Sequence, residues 1–435
     1  MPPAQFLAAE VHLATTTVRR VTRRLMPFLF FLYVISYLDR INVGFAGLQM
    51  TRELHFSDAV FGFGSGVFFV GYLILGIPGG IIVEKWSARK AMTATMLVWG
   101  VVASASGFTH SERQFYVMRF VLGMAEAPFL PGILTYLGHW YRPADRAKAV
   151  AMFMVAIPVA QAVASPLAAW LLQISWLGFS GWRWLLILEG APAVLCAFVA
   201  WFFLTDRPHQ AAWLAPDQRD WLATEIELGY RKTNPLQDKL SVWKTMRHPG
   251  VLLFCLAYVG GTTGSYGLNL WLPKILQKLG HLSIVETSLL AAIPAIVAIP
   301  AMLILGWNSD RARERRLHAS IPRLLAGFAM AGVVLAGNNV LVALTLLSVA
   351  TAGILGAYGP IWTIPNTFLS KSAVAASNGL ITSVGNLGGF IGPFLVGYFS
   401  SRTGSYSAGL LGMGALVASC SVLVLPLGKW HRDSE

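Results

Sequence analysis

Two clusters of ionisable residues stand inside otherwise apolar runs, and their types and spacing can do chemistry. The first is Tyr33-Val-Ile-Ser36-Tyr37-Leu-Asp39-Arg40-Ile-Asn42. On a helix Tyr33, Tyr37 and Arg40 make one stripe and Ser36, Asp39 and Asn42 another, so Asp39 and Arg40 point about 100° apart. An arginine stays charged and forks onto carboxylates, which suits an anionic ligand. A desolvated aspartate exchanges protons near neutrality. The second cluster is Arg119-Phe-Val-Leu-Gly123-Met-Ala-Glu126. Seven residues are almost two turns, which places Arg119 and Glu126 on one face, roughly 10 Å apart along the axis. Gly123 between them is expected to leave room for Arg119 to reach the acid. An ionised Glu126 then engages Arg119 and a protonated one releases it, a two-state proton switch. The plainer alternative is a fixed ion pair that locks helix packing.

The surroundings of these clusters are lipid-like. Of 435 residues 55% are hydrophobic and 12% charged, against roughly 25% charged in soluble domains. The net charge of +13 would suit nucleic acid, but the basic residues sit in short breaks between apolar runs, so no nucleic-acid partner is expected. Cys196, Cys255 and Cys420 lie far apart inside apolar runs and read as small packing residues, without a metal site or disulfide framework. The nine His show no metal-ligand pairing. No phosphate-binding Gly-Lys-Ser/Thr loop or other enzyme motif is present, which excludes ATP-driven pumping and enzymatic readings. Residues 1–24 lack the apolar core of a cleavable leader.

A membrane-crossing helix needs about 20 mostly apolar residues. Twelve such stretches are expected, near 25–48, 59–83, 91–109, 114–139, 148–173, 184–204, 250–273, 286–308, 321–337, 340–368, 374–400 and 406–427. The expected organisation is an N-terminal tail (1–24), a six-helix bundle (25–204), a polar central loop (205–249), a second six-helix bundle (250–427) and a C-terminal tail (428–435). Lys and Arg favour the cytoplasmic side. Six lie in the odd-numbered connections, namely Arg52, Arg113, Arg183, Lys274, Lys278 and Arg402, and Arg40 and Arg119 are within spans. The rest of the 33 fall at the tails and even-numbered connections, counting Lys148 and Arg323 at the edges of their spans, so both termini and the central loop are expected in the cytoplasm. Trp140, Trp176, Trp182, Trp184, Trp201, Trp271 and Trp430 fall at span ends, where interfacial anchors stand. Pro158 and Pro166 are expected to kink the fifth span.

The halves repeat one signal. After the second span comes Gly80-Ile-Ile-Val-Glu84-Lys85, then Arg89-Lys90. After the eighth comes Gly306-Trp-Asn-Ser-Asp310-Arg311, then Arg313 and Arg315-Arg316. Both read Gly, three residues, acid, base, basic cluster. An acid here can meet the N-terminus of a neighbouring helix and latch the halves, which makes Gly80, Glu84, Arg89, Gly306, Asp310 and Arg311 gating candidates. Parallel six-span repeats are what a rocking transporter requires. On these loops and spans the chain resembles the major facilitator superfamily along its whole length. Ser87 and Lys85 depart from the Gly and Arg common in that loop. The resemblance implies an all-α membrane protein of twelve transmembrane helices in two six-helix bundles.

A narrower resemblance rests on Tyr37-Leu-Asp39-Arg40-Ile-Asn42, Arg119 and Glu126, Gly181-Trp-Arg-Trp-Leu-Leu-Ile-Leu-Glu189-Gly and Leu204-Thr-Asp206-Arg207-Pro208. These resemble the anion:cation symporter branch, which includes permeases for tartrate, phthalate, galactonate and glucarate and the vesicular glutamate transporters. By that resemblance Tyr37, Arg40, Tyr72 and Asn386 fall on substrate-cavity positions. Asp39 and Glu126 fall on proton-coupling positions, with Arg119 as partner. Helical runs of polar residues add Asn269 in the seventh span and Trp362 in the tenth as cavity candidates, near Tyr258, Thr262, Tyr266, Tyr358, Asn366, Asn378 and Thr382; such residues also serve as interhelical glue. Gly62, Gly66, Gly385, Gly388, Gly389 and Gly392 read as close helix packing, and Glu189 as a packing or interfacial acid.

The expectation is proton-coupled symport of a small organic anion by alternating access, as a monomer in the bilayer of the plasma (bacterial inner) membrane. Protons are the coupling ion, and no other cofactor is expected. An exchanger without proton coupling is disfavoured by Asp39 and Glu126, a drug exporter by Arg40, and a non-transporting sensor by the absence of a long output loop.

Overall fold

The computed structural model describes residues 3–232, 247–365 and 380–428; Asn366, Asn378 and Trp430 lie outside them. The regular structure among the described residues is helical, apart from one isolated bridge between Trp176 and Phe179. The N-terminal half runs α1 (Pro3–Glu53), α2 (Asp58–Lys85), α3 (Ala88–Ser106), α4 (Glu112–Glu126), α5 (Phe129–Trp140), α6 (Pro143–Met154), α7 (Ala156–Leu171) and α8 (Gly181–Phe203). After α9 (Pro216–Lys232) the second half runs α10 (Pro249–Gly280), α11 (Ile284–Leu290), α12 (Ala292–Ala312), α13 (Arg316–Gly332), α14 (Val340–Gly356), α15 (Tyr358–Thr363), α16 (Leu387–Thr403) and α17 (Ser407–Val422). Joined across their breaks, these segments make two six-helix bundles. Among the described residues eleven helical stretches are long and apolar enough to cross a membrane. The remaining member of the twelve, α3, opens on Arg89-Lys90 and packs along α8 and α4.

The breaks follow from proline. A proline ring clashes with the carbonyl four residues earlier. The residues four before Pro131, Pro158, Pro294 and Pro360 are Ala127, Met154, Leu290 and Gly356. There α4 gives way to α5, α6 to α7, α11 to α12 and α14 to α15. The fifth span thus bends as the sequence suggests, though at Val155, one turn ahead of Pro158. Pro166 sits inside α7 without ending it.

Two expected loops are partly helical. Residues 3–24 are helical and continuous with the first span in α1. The central segment carries α9, whose Leu222 and Ile226 are buried. Arg24 stacks on Phe203 and Trp213 at 4.9 and 5.0 Å, which ties α1 to this segment. Three expected anchors are not at a lipid surface: Trp140, Trp182 and Trp271 are fully buried. Their indole N–H groups donate to Thr205 O, Glu53 Oε2 and Pro393 O. Trp176 and Trp201 are exposed.

The halves meet along α1 with α10, α2 with α16, and α7 with α11 and α12. Gly62 lets α2 approach α16: a Cβ there would stand 2.5 Å from Pro393 O and 3.0 Å from the Gly397 Cα. Beside this contact, at the end opposite the Gly-x3-acid-base loops, Lys274 reaches Asp58 at 2.9 Å and Ser400 donates to Asp58 at 2.6 Å. The Ala59 N–H donates to Ser401 Oγ at 2.6 Å and Arg52 to Gln277 at 2.8 Å. A cleft of about 480 Å³ opens beside them, with Arg52, Lys274, Lys278 and His281 on its walls.

Candidate functional site: a buried arginine–glutamate centre

The centre is built on one turn of α1. Ser36 and Arg40 lie four residues apart and so share a face, turned toward the last residue of α4. There Arg40 donates twice to Glu126 Oε1, from Nε at 2.9 Å and Nη2 at 2.7 Å. The Ser36 hydroxyl donates to the same oxygen. Arg40 and Glu126 are 5% and 0% exposed. At that depth a pair is tolerable only when its geometry and remaining hydrogen bonds are good. The other Glu126 oxygen has no hydrogen-bond partner. Arg40 also donates from Nη1 to Tyr266 OH at 3.4 Å, a bond from one half to the other. Its guanidinium lies 4.9 Å from the Tyr72 ring centre. Beside it, Gln161 of α7 donates to Tyr37 OH at 3.4 Å, and the Tyr37 ring stacks on Tyr266 at 6.5 Å.

The expected pairing of Arg119 with Glu126 is not what forms. Gly123 brings α4 against the α2 backbone at Phe68, so the neighbouring helix fills the room expected for the arginine. Arg119 instead lies over the Phe68 ring at 4.8 Å. With Asp39 it lines a cavity of about 10 Å³, room for about one water. Asp39 Oδ2 and Arg119 Nε and Nη2 have no hydrogen-bond partner. Glu189, read from sequence as a packing or interfacial acid, is buried beside Asn42 and Asp39. The N-terminal half therefore gathers Asp39, Arg40, Arg119, Glu126 and Glu189 in one buried region.

Other candidates stand apart from this centre. Tyr72 joins it; Asn269, Trp362 and Asn386 do not bond to Arg40. Asn269 presents its backbone carbonyl to Gly44 across the α1–α10 seam. Trp362 packs edge-on against Tyr258 at 5.0 Å. Asn386 precedes α16 and is half-buried. Sequence reasoning passed over Gln161 and left Tyr266 as one tyrosine in a stripe. A lone amide in the apolar fifth span was the available signal for the first.

At the repeated loops, Gly80 and Glu84 lie in α2, and their side chains fall outside the described residues. The carboxylate at a helix N-terminus here is Asp206: it accepts from the Arg89 N–H at 2.9 Å and from Ser87 Oγ at 2.7 Å, with Arg89 Nε 3.8 Å away. This is a favourable place for an acid. In the second half Glu314 plays that part for α13, accepting from the Leu317 N–H at 2.8 Å. Asp310 pairs with Arg315 at 2.5 Å, while Arg311 lies over Trp307 at 5.3 Å and Gly306 faces open space.

This fold and centre define a multi-pass membrane transporter. The chain belongs to the Major Facilitator Superfamily, whose family model matches residues 29–393; it is a transporter and not an enzyme. It is 38% identical over 420 residues to a protein of Agrobacterium vitis named as a tartrate transporter, covering 96% of each chain. It is 37% identical over 402 residues to a protein of Acinetobacter baumannii named as a quinolone resistance transporter, covering 90% of each. Among solved structures, a bacterial homologue of the human lysosomal transporter Spinster, inward-facing and unoccupied, superposes with a TM-score of 0.73. That match has 17% identity and covers 94% of this chain and 96% of that one.

Proposed function

We propose that this protein carries a small organic anion, a carboxylate such as tartrate or a sugar acid, together with protons by alternating access. The observation that supports this most is the double hydrogen bond from Arg40 to Glu126. A substrate carboxylate and the Glu126 carboxylate compete for the same guanidinium. Protonation of Glu126 weakens its hold and frees Arg40 for the anion, so proton and anion load together. Tyr37, Tyr72 and Tyr266 surround the guanidinium and supply hydroxyls for the rest of the ligand. Asp39, beside Arg119, is the second proton site. The relative named for tartrate agrees with this choice of cargo.

In this reading the chain works as a monomer in the plasma (bacterial inner) membrane, with both termini cytoplasmic, and the Asp58–Lys274 contacts close the outer end. Rocking then exposes Arg40 to one side at a time. The relative named for quinolone resistance favours a second reading, export of drugs. Uptake into proteoliposomes under an inward proton gradient separates them. Accumulation of tartrate or a sugar acid that collapses with a protonophore is expected. Anion exchange without accumulation would replace symport with antiport, and quinolone export with no anion flux would replace both.

A further inference from the structure

The second half places its cations in two ways. Arg323 of α13 is buried among the phenols of Tyr258 and Tyr358. Lys274 and Lys278 of α10 stand instead on the wall of the cleft of about 480 Å³ that opens opposite the Gly-x3-acid-base loops. Arg52 at the end of α1 and His281 after α10 add to that wall, and no acid among the described residues lines it. The acids nearest in sequence are engaged elsewhere: Glu53 pairs with Arg183 at 3.1 Å, and Glu286 closes the capping box of Ser283 at the start of α11. Of the cations on the wall only Lys274 has a carboxylate among the described residues, Asp58 at 2.9 Å. Lys278 donates to the Gly404 carbonyl and Arg52 to Gln277. A concave space walled by one sign of charge concentrates counter-ions, and the volume lies within the roughly 300–1,000 Å³ of small-ligand sites.

The cleft stands over the Arg40 centre. Gly47, in its lining, is seven residues beyond Arg40 on α1, so the two share a face about 10 Å apart. Gln277, also in the lining, is eleven residues beyond Tyr266 on α10, three turns on along one face. Between these levels the two helices press together: a Cβ on Gly44 would stand 3.0 Å from the carbonyl oxygens of Asn269 and Leu270. One helix contact therefore separates the cleft from Arg40. Lys274 belongs both to the cleft and to the contact between the halves, since Asp58 starts α2 and also accepts from Ser400 of α16 at 2.6 Å.

We propose that the cleft is an entry site for the carboxylate cargo, where the anion draws Lys274 from Asp58 and so loosens the contact between the halves. This rests on the organic-anion reading and adds a second place where the anion is met. The exchange replaces one carboxylate by another on the same ammonium at a partly exposed position, so it costs little. An anionic lipid headgroup offers the same charge, but α1 and α10, which form the wall, are the most enclosed of the crossing helices among the described residues. The occupant therefore comes from water.

The test follows a cysteine cross-link across the α2–α16 seam in vesicles of neutral lipid while tartrate, glucarate or succinate is titrated. Arg40→Ala removes the central anchor, so a response that survives in it, at concentrations well above those the wild type needs, comes from the cleft. The cross-link should weaken with at least one carboxylate. Lys278→Gln in that background should move the midpoint up about fivefold, the upper range for one exposed ion pair, and Lys278→Arg should restore it. A response in the wild type and none in Arg40→Ala would overturn the entry site and leave the central one standing. So would an unchanged midpoint in Lys278→Gln, an equal response to chloride at matched ionic strength, or a response to phosphatidylglycerol with none to the carboxylates. Should Arg40→Ala not fold, uptake by the single variant Lys278→Gln decides: a KM raised about fivefold is expected, and an unchanged KM would overturn the site. No response to any carboxylate and no uptake by the wild-type protein would remove the organic-anion reading itself.

Discussion

The two bundles share an architecture and divide the chemistry unequally. In the first, two arginines and three acids are buried in one region near the α1–α4 contact, and one arginine is held by a glutamate that also accepts from a serine. In the second, Arg323 stands among tyrosines with no acid opposite. A bundle with its own acids can trade a proton against an ion pair. On the reading proposed above, the first half supplies the acids for coupling.

The comparison breaks most easily at Arg40. Arg40→Ala should abolish anion binding and counterflow together, a loss of more than about a hundredfold, since it removes a forked contact and strands Glu126. Binding retained within tenfold would move the primary anchor elsewhere. Glu126→Gln sharpens the division next. It should leave exchange of anion down its own gradient intact and lose accumulation driven by pH. On the symport reading, uptake by the wild type should rise as external pH falls, because a proton travels with the anion, and in Glu126→Gln that slope should flatten. A persisting slope would hand coupling to Asp39 or Glu189, which Asp39→Asn and Glu189→Gln then separate.

Smaller effects are expected where the halves touch. Lys274→Met leaves Asp58 without its cation at a half-buried site and should shift the population about tenfold toward outward-open, read by cross-linking of paired cysteines in α2 and α16. An unchanged ratio would mean that Ser400 and the helix packing suffice. Gly123→Ala presses a methyl onto the Phe68 backbone and should cost about 1–3 kcal/mol of stability, seen as a lower melting temperature in detergent. A variant as stable as wild type would show that α2 and α4 can separate locally.

Much of the fold was legible because lipid imposes a simple rule, long apolar stretches with basic residues kept to the breaks. Tyr37, Asp39, Arg40 and Glu126 stood out for the same reason, as charges and phenols where neither is cheap. Their partners were not legible. Helical spacing reports neighbours on one helix, and it joined Arg119 to Glu126. The partner that forms is 86 residues away on another helix, and only the packing of Gly123 on Phe68 decides between them. Arg323 was hidden differently. It follows a run of arginines, and nothing local distinguishes the last charge of a loop from the first inside a bundle. Trp140, Trp182 and Trp271 misled in the opposite sense: their positions are those of anchors, and their surroundings are core.

The proline breaks have a mechanical consequence. At the α7 seam the interrupted fifth span, jointed at Val155, faces the interrupted eighth, jointed at Ala291, and α7 touches the pieces on both sides of the latter joint. Two jointed rods pressed side by side form a flexure: they yield by bending while their surfaces stay in register. The α2–α16 seam is of another kind, since Gly62 and Gly397 interlock too closely to slide. One flank of the molecule is therefore compliant and the other must part cleanly, which makes opening the swing of a hinged door and not the drawing apart of two walls.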